Sequence, residues 1–209
     1  MEDKMPIVQP RKVAIIDIDG VLCCTCPTAM NKLRKAEGLL PVPPPTEYGL
    51  SDYFSTEREY CLKAFKEPKV YELCEPFEGA VDAVKEIATK FDICYFTARG
   101  VDYNQTIDDN SIGDVTLRWL RQQGFPEAPT CFLGPGETKV QVAKSHYGND
   151  IAFIVEDKFA TANDFAEAGI EAFLVRYPYN WQAQYPSKVI PVGSIKDVPF
   201  WAKLLGMEK

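Results

Sequence analysis

Apolar residues fall along this chain in short runs that stop abruptly at charged or polar residues. Val13 to Ile16 is a continuous apolar run of strand length, the pattern of a strand covered on both faces. It ends at Asp17-Ile18-Asp19-Gly20. From Phe77 onward, strand and helix patterns alternate. Glu78 to Lys90 carries Val81, Val84, Ile87 and Ala88 on one helical face. Asp92 to Phe96 predicts a strand, closed by Thr97-Ala98-Arg99-Gly100. Asn110 or Ser111 is placed to cap a helix reaching Gln123, with Gly124 to end it. Thr130 to Leu133 predicts a short strand and Glu137 to Tyr147 a helix. Ile151 to Val155 predicts a buried strand ending in Glu156-Asp157. A helix over Phe159 to Ala168, stopped by Gly169, and a strand over Ile170 to Val175 come next. The tail, with Trp181 and Trp201, is Pro-rich and ends in a short helix.

Residues 24–76 break this alternation. Thr28 to Glu37 predicts a short helix, and Pro41, Pro43, Pro44 and Pro45 then force an extended stretch. Thr56 and Glu59 have capping-box spacing for a helix reaching about Lys66, and Pro68 and Pro76 punctuate the chain beyond it. The block holds no buried strand, so it reads as a small helical insertion into a core made of residues 11–23 and 77–209. Strands alternating with helices imply an α/β fold: a Rossmann-like, three-layer α/β/α parallel sheet. Ligands in such sheets bind beyond the carboxyl ends of the strands. The residues there are Asp17 and Asp19, Thr97 and Arg99, and Glu156 and Asp157.

Composition narrows the chemistry. The 209 residues carry 23 basic and 30 acidic side chains, a net charge of −7 and one histidine, His146. The acidic balance argues against extended nucleic-acid binding, and a single histidine excludes multi-histidine metal sites. No apolar run reaches the about 20 residues of a bilayer span. Met1 to Lys12 lacks an apolar signal-peptide core, so the expected location is cytoplasmic. The seven cysteines are odd in number and read as reduced thiols. Cys23 and Cys26 form a C-x-x-C, but Cys61 and Cys74 are badly spaced to complete a zinc site, and small buried side chains at a loop start are the better reading.

Asp17 and Asp19 would share one face of a regular strand. Carboxylates brought together repel unless a cation intervenes or one is protonated. Asp157 adds a third. A hard divalent ion answers this, and Mg²⁺ suits it better than Ca²⁺ because no EF-hand pattern is present. The alternative is that both aspartates are turn residues capping a loop.

Ile15-Ile16-Asp17-Ile18-Asp19-Gly20-Val21-Leu22 resembles the first motif of the haloacid dehalogenase superfamily. Phe96-Thr97-Ala98-Arg99 resembles its second motif, Lys139 its third, and Ile154-Val155-Glu156-Asp157 its fourth. The resemblance spans Val13 to about Val175. It implies a phosphatase with Asp17 as nucleophile, forming an aspartyl-phosphate, and Asp19 as general acid and then base. It implies that Thr97, Ala98, Arg99 and Lys139 bind the phosphorylated substrate. Mg²⁺ would be held by Asp17, Asp157 and Asp19, the last through its backbone carbonyl. Lys144 is a rival for Lys139. Glu156 departs from the glycine or aspartate usual before the fourth-motif aspartate, and Thr161 and Ala162 stand where some members carry a further acid.

Residues 24–76 lie where the C1-type cap of this superfamily sits. Tyr48, Tyr53, Phe54, Tyr60 and Phe65 could stack on a nucleobase or pack the cap against the core. Chain length and cap size resemble the 5′(3′)-deoxyribonucleotidases. Phe96 to Gly100, followed by Leu117-Arg118-Trp119-Leu120, resembles the phosphatase half of polynucleotide kinase-phosphatases. Both imply a nucleotide-like substrate, and the acidic net charge favours a mononucleotide over a long polymer. A polynucleotide 3′-phosphatase, a sugar-phosphate phosphatase and a non-catalytic subunit remain as alternatives.

Overall fold

A computed structural model describes residues 11–50, 53–99, 111–134 and 136–208. Gly100 and Asn110 lie outside the described residues, as do residues 1–10. Six strands form one sheet: β1 (Val13–Asp17), β2 (Asp92–Thr97), β3 (Thr130–Phe132), β4 (Ile151–Glu156), β5 (Glu171–Val175) and β6 (Val189–Val192). Their order is β3-β2-β1-β4-β5-β6, and every pair is parallel.

β1 lies inside the sheet because all five of its residues are buried. Side chains alternate between faces. Ala14, Ile16, Tyr95, Phe153, Val155 and Phe173 face one buried cluster, and Ile15, Cys94, Phe96, Ile154 and Leu174 the other. On the first face, Phe91, Phe153 and Phe173 meet edge-on at 5.0 and 5.1 Å. That layer holds α4 (Ala80–Ala88), α5 (Ile112–Gln122) and α8 (Val198–Leu204). The opposite layer holds α6 (Lys139–Tyr147) and α7 (Phe159–Glu167). The architecture is therefore the expected three-layer α/β/α parallel sheet.

Local signals place both ends of α5 and the start of α6. Ser111 caps α5 by accepting from the Asp114 amide, and Gly124 at φ 80° lets the chain turn off it. Thr138 caps α6 by accepting from the Gln141 amide, so Lys139 is its first residue.

The segment between β1 and α4 carries α1 (Met30–Ala36), α2 (Ser55–Ala64) and α3 (Pro68–Glu72). Three local expectations change here and in the tail. The Thr56–Glu59 capping box does not form: α2 starts two residues earlier, after Phe54, with no side-chain cap. Pro68 opens α3 at its first turn, where a missing amide costs nothing. The tail supplies a sixth strand, β6, which tolerates Pro191 because it is an edge strand. Met30, Leu33, Val70, Tyr71 and Cys74 join the same buried cluster as the sheet face, so the segment is packed directly on the core. None of the described helices is long and apolar enough to cross a membrane.

Candidate active site at the carboxyl edge of the sheet

The register of the sheet assembles the site. Asp17 pairs with Phe96, which sets Thr97 one position beyond it on β2. Ile16 pairs with Val155, which sets Glu156 beside Asp17 and Asp157 one step further. α6 delivers Lys139 from the opposite layer.

Lys139 Nζ donates to Asp17 Oδ1 at 2.5 Å and to Glu156 Oε2 at 2.7 Å. Glu156 Oε1 accepts from the backbone amides of Asp157 at 3.2 Å and Lys158 at 3.0 Å. Asp17, Glu156 and Asp157 are buried, with one oxygen from each within 4.8 Å of the others. Burial and the charge of Glu156 push Asp17 up to about 8, although Lys139 opposes them. Burial and the charges of Glu156 and Asp17 push Asp157 well above the usual carboxylate range. Burial alone would lower Lys139, but Asp17 and Glu156 outweigh it and hold the ammonium charged.

Three carboxylates against one ammonium leave this pocket short of positive charge. Lys139 engages Asp17 through Oδ1, and Tyr179 engages Asp157 through Oδ2, so neither donor occupies the second oxygen of its carboxylate. Carboxylate oxygens in an electron-rich pocket fit a hard divalent cation such as Mg²⁺.

Asp19 behaves differently. The strand ends at Asp17, and Gly20 follows at φ 81°, so the two-residue period no longer governs Asp19. Its carboxylate turns from the acid cluster to Arg99, whose Nε donates to Oδ2 and Nη2 to Oδ1, each at 2.8 Å. The Thr25 hydroxyl donates to Oδ1 as well. Burial would raise Asp19, but the Arg99 charge and these hydrogen bonds hold it below the usual range. The cluster thus contains Glu156 and not the Asp19 carboxylate.

Arg99 is 2% exposed and lies between the rings of Tyr71 at 4.6 Å and Trp119 at 5.6 Å. It also donates to Cys23 Sγ at 3.2 Å. Its guanidinium points inward, to Asp19. Thr97 is buried, and its Oγ1 accepts from the Arg99 amide at 3.1 Å. Ala98 is exposed at the rim. Lys144 and His146 are exposed on α6.

Two contributors lie outside the motif residues: Thr25, six residues beyond Asp19, and Tyr179, whose hydroxyl donates to Asp157 Oδ2 at 2.6 Å. A lone threonine in a cysteine-rich loop points to no contact by type or spacing, whereas Tyr179, just after the last strand predicted from the sequence, has a place on the ligand-binding edge, where packing is the alternative reading.

No family model and no curated protein matches the chain. Solved structures do. A haloacid dehalogenase-like family hydrolase from Streptococcus pneumoniae superposes with a TM-score of 0.59 at 17% identity, covering 91% of this chain and 98% of that one. A D,D-heptose 1,7-bisphosphate phosphatase from Burkholderia thailandensis gives 0.55 at 10% identity, covering 93% and 99%. A defluorinating L-2-haloacid dehalogenase gives 0.57 at 8% identity, covering 92% and 95%. By their names these proteins share a fold and not a reaction. The chain has the haloacid dehalogenase-like fold.

Proposed function

We propose that the protein is a Mg²⁺-dependent phosphomonoester hydrolase that works through an aspartyl-phosphate on Asp17. The observation that carries this reading is the buried Lys139 ammonium, bonded to Asp17 and Glu156 at the strand edge beside Thr97 and Asp157. A buried cation at a carboxylate stabilises its ionised form and adds positive potential where a phosphoryl group would sit. The Asp17 carboxylate attacks phosphorus, the ester P–O bond breaks, and the leaving oxygen takes a proton from Asp19. Water then attacks the aspartyl-phosphate, Asp19 takes its proton, and phosphate and free Asp17 result. Arg99 keeps Asp19 ionised, which suits the second step; acting as acid in the first requires the carboxyl to leave Arg99 and take up a proton. Thr97 and the exposed backbone at Ala98 would bind phosphoryl oxygens. Mg²⁺, held by Asp17, Asp157 and the Asp19 carbonyl, would neutralise charge on the phosphoryl oxygens when bound.

A nucleotide-like substrate is the reading we favour. Tyr48, half exposed in the helical segment, meets Tyr179 edge-on at 5.8 Å, and Lys158 Nζ lies 5.0 Å above its ring. An aromatic ring and an ammonium beside the acid cluster suit a base and a second polar group.

Hydrolysis of p-nitrophenyl phosphate with Mg²⁺ tests the reaction. Wild type should turn over and Asp17→Asn should not; full activity in Asp17→Asn would refute the nucleophile. A panel of nucleoside monophosphates, sugar phosphates and 3′-phosphorylated oligonucleotides tests the substrate. Preference for sugar phosphates would overturn the nucleotide reading.

A further inference from the structure

β5 leads into Tyr177-Pro178-Tyr179-Asn180, a single 3₁₀ turn that reaches back over the acid cluster. Three of its side chains donate to residues flanking that cluster. Tyr177 Oη donates to the Gly20 carbonyl at 2.8 Å. Asn180, 1% exposed, donates through Nδ2 to the carbonyls of Asp157 at 2.6 Å and Val175 at 2.7 Å. Tyr179 Oη donates to the Asp157 side chain, at Oδ2, at 2.6 Å. The rings of Tyr177 and Tyr179 stack at 5.1 Å with 7° between their planes, so each phenol restrains the other.

Asp157 Oδ2 is confined from the other side too. A Cβ added at Gly20 would come within 2.3 Å of it. Gly20, at φ 81°, therefore lets the carboxylate lie against bare backbone. Oδ2 is wedged between Gly20 and a phenol donor, and neither of them engages Oδ1.

We propose that Tyr179 is a positioning residue that restricts Asp157 to one coordinating oxygen and thereby sets the preference of the site for Mg²⁺ over Ca²⁺. This rests on the metal site given under Proposed function. Mg²⁺ demands near-octahedral geometry with few protein ligands, whereas Ca²⁺ takes six to eight oxygens and accepts both oxygens of one carboxylate. A carboxylate with one oxygen engaged by a phenol suits the smaller ion. Partners of this kind around a metal ligand typically alter affinity by about 10–100-fold. Tyr179→Phe keeps the ring and its stacking, removes only the donor, and frees Oδ2.

The test is calorimetric titration of the cation-free full chain with Mg²⁺ and with Ca²⁺, with no substrate present. The Mg²⁺/Ca²⁺ affinity ratio should fall about ten-fold or more in Tyr179→Phe. It should stay near the wild-type ratio in Tyr177→Phe, which removes a hydroxyl of the same turn that does not touch the Asp157 carboxylate. An unchanged ratio in Tyr179→Phe overturns the proposal. An equal fall in both variants overturns it too, since the effect would then belong to the integrity of the turn. If wild type binds neither ion, or Asp157→Asn binds as wild type does, the metal site itself is refuted. Urea midpoints of wild type and the three variants separate loss of binding from loss of fold.

Discussion

Asp17 and Asp19 stand two residues apart, and the protein treats them in opposite ways. Asp17 lies in an acid-rich pocket with Glu156 and Asp157, where one lysine is shared, and burial and repulsion push its carboxyl up to about 8. Asp19 lies in a cation-rich pocket with Arg99 and Thr25, where its carboxyl is held below the ordinary range. The acid pocket lacks positive charge and the Asp19 pocket is satisfied. What separates them is the end of β1 after Asp17 and the left-handed turn at Gly20. The lesson is that two like carboxylates in one motif acquire different roles from their neighbours rather than from their spacing.

The comparison can be broken most severely at Lys139. Lys139→Met leaves Asp17 and Glu156 buried without their cation, and should cost about 3–5 kcal/mol of stability at pH 8. At pH 5 the loss should shrink, because Asp17, raised to about 8, is protonated there and no longer needs the cation. Urea denaturation at the two pH values measures both, and equal losses would contradict the shared-lysine picture.

Arg99→Met is the matching change in the other pocket. The Asp19 side chain is 36% exposed, so water can partly replace the guanidinium. The expected loss is smaller, about 2–3 kcal/mol. It should grow as pH rises above the ordinary aspartate range, where the unpaired carboxylate is charged. A pH-independent loss would mean that Arg99 acts mainly through packing against Tyr71 and Trp119.

A third measurement needs no substitution. With folded-state values raised at Asp17 and Asp157, the cation-free native protein binds more protons than the unfolded chain between about pH 4 and 8. Stability should therefore fall as pH rises through this window, by up to about 1.4 kcal/mol per pH unit for each such proton. Mg²⁺ should flatten the slope by replacing those protons. The lowered Asp19 and raised Lys139 contribute outside this window. Thermal unfolding from pH 5 to 8, with and without Mg²⁺, decides it; a rising Tm in the cation-free protein would be the wrong sign.

The smallest expected effect sharpens the assignment of the lysine. Lys144→Ala removes an exposed side chain and should change stability by less than about 0.5 kcal/mol. Its p-nitrophenyl phosphate turnover should match wild type. A large drop would return Lys144 to contention.

The buried strands were legible because apolar runs such as Val13 to Ile16 and Ile151 to Val155 are long, unbroken and closed by charge. α5 was legible because Ser111 acts within three residues of its own position, whereas α6 begins at Lys139, two residues beyond the expected Glu137, because Thr138 caps it. β6 was not, because a four-residue edge strand containing Pro191 looks like a loop until Leu174 and Val175 stand beside it. α3 was not, because a proline signals both a helix stop and a helix start.

The candidate site divides in the same way. The sequence by itself determined which chemical groups end the strands: two aspartates after β1, Thr97 after β2, Glu156 and Asp157 after β4, and a lysine at a helix start. Strand ends are set by local apolar pattern, which any stretch of chain carries with it. Only the tertiary structure decided that Asp19 faces Arg99, that Glu156 shares Lys139 with Asp17, and that Tyr179 holds Asp157. Those contacts join residues 80, 17 and 22 positions apart in the chain. They depend on register, on one left-handed glycine and on the path of a loop. Local pattern carries no information about these, because each partner is chosen by the field and space of the assembled sheet edge.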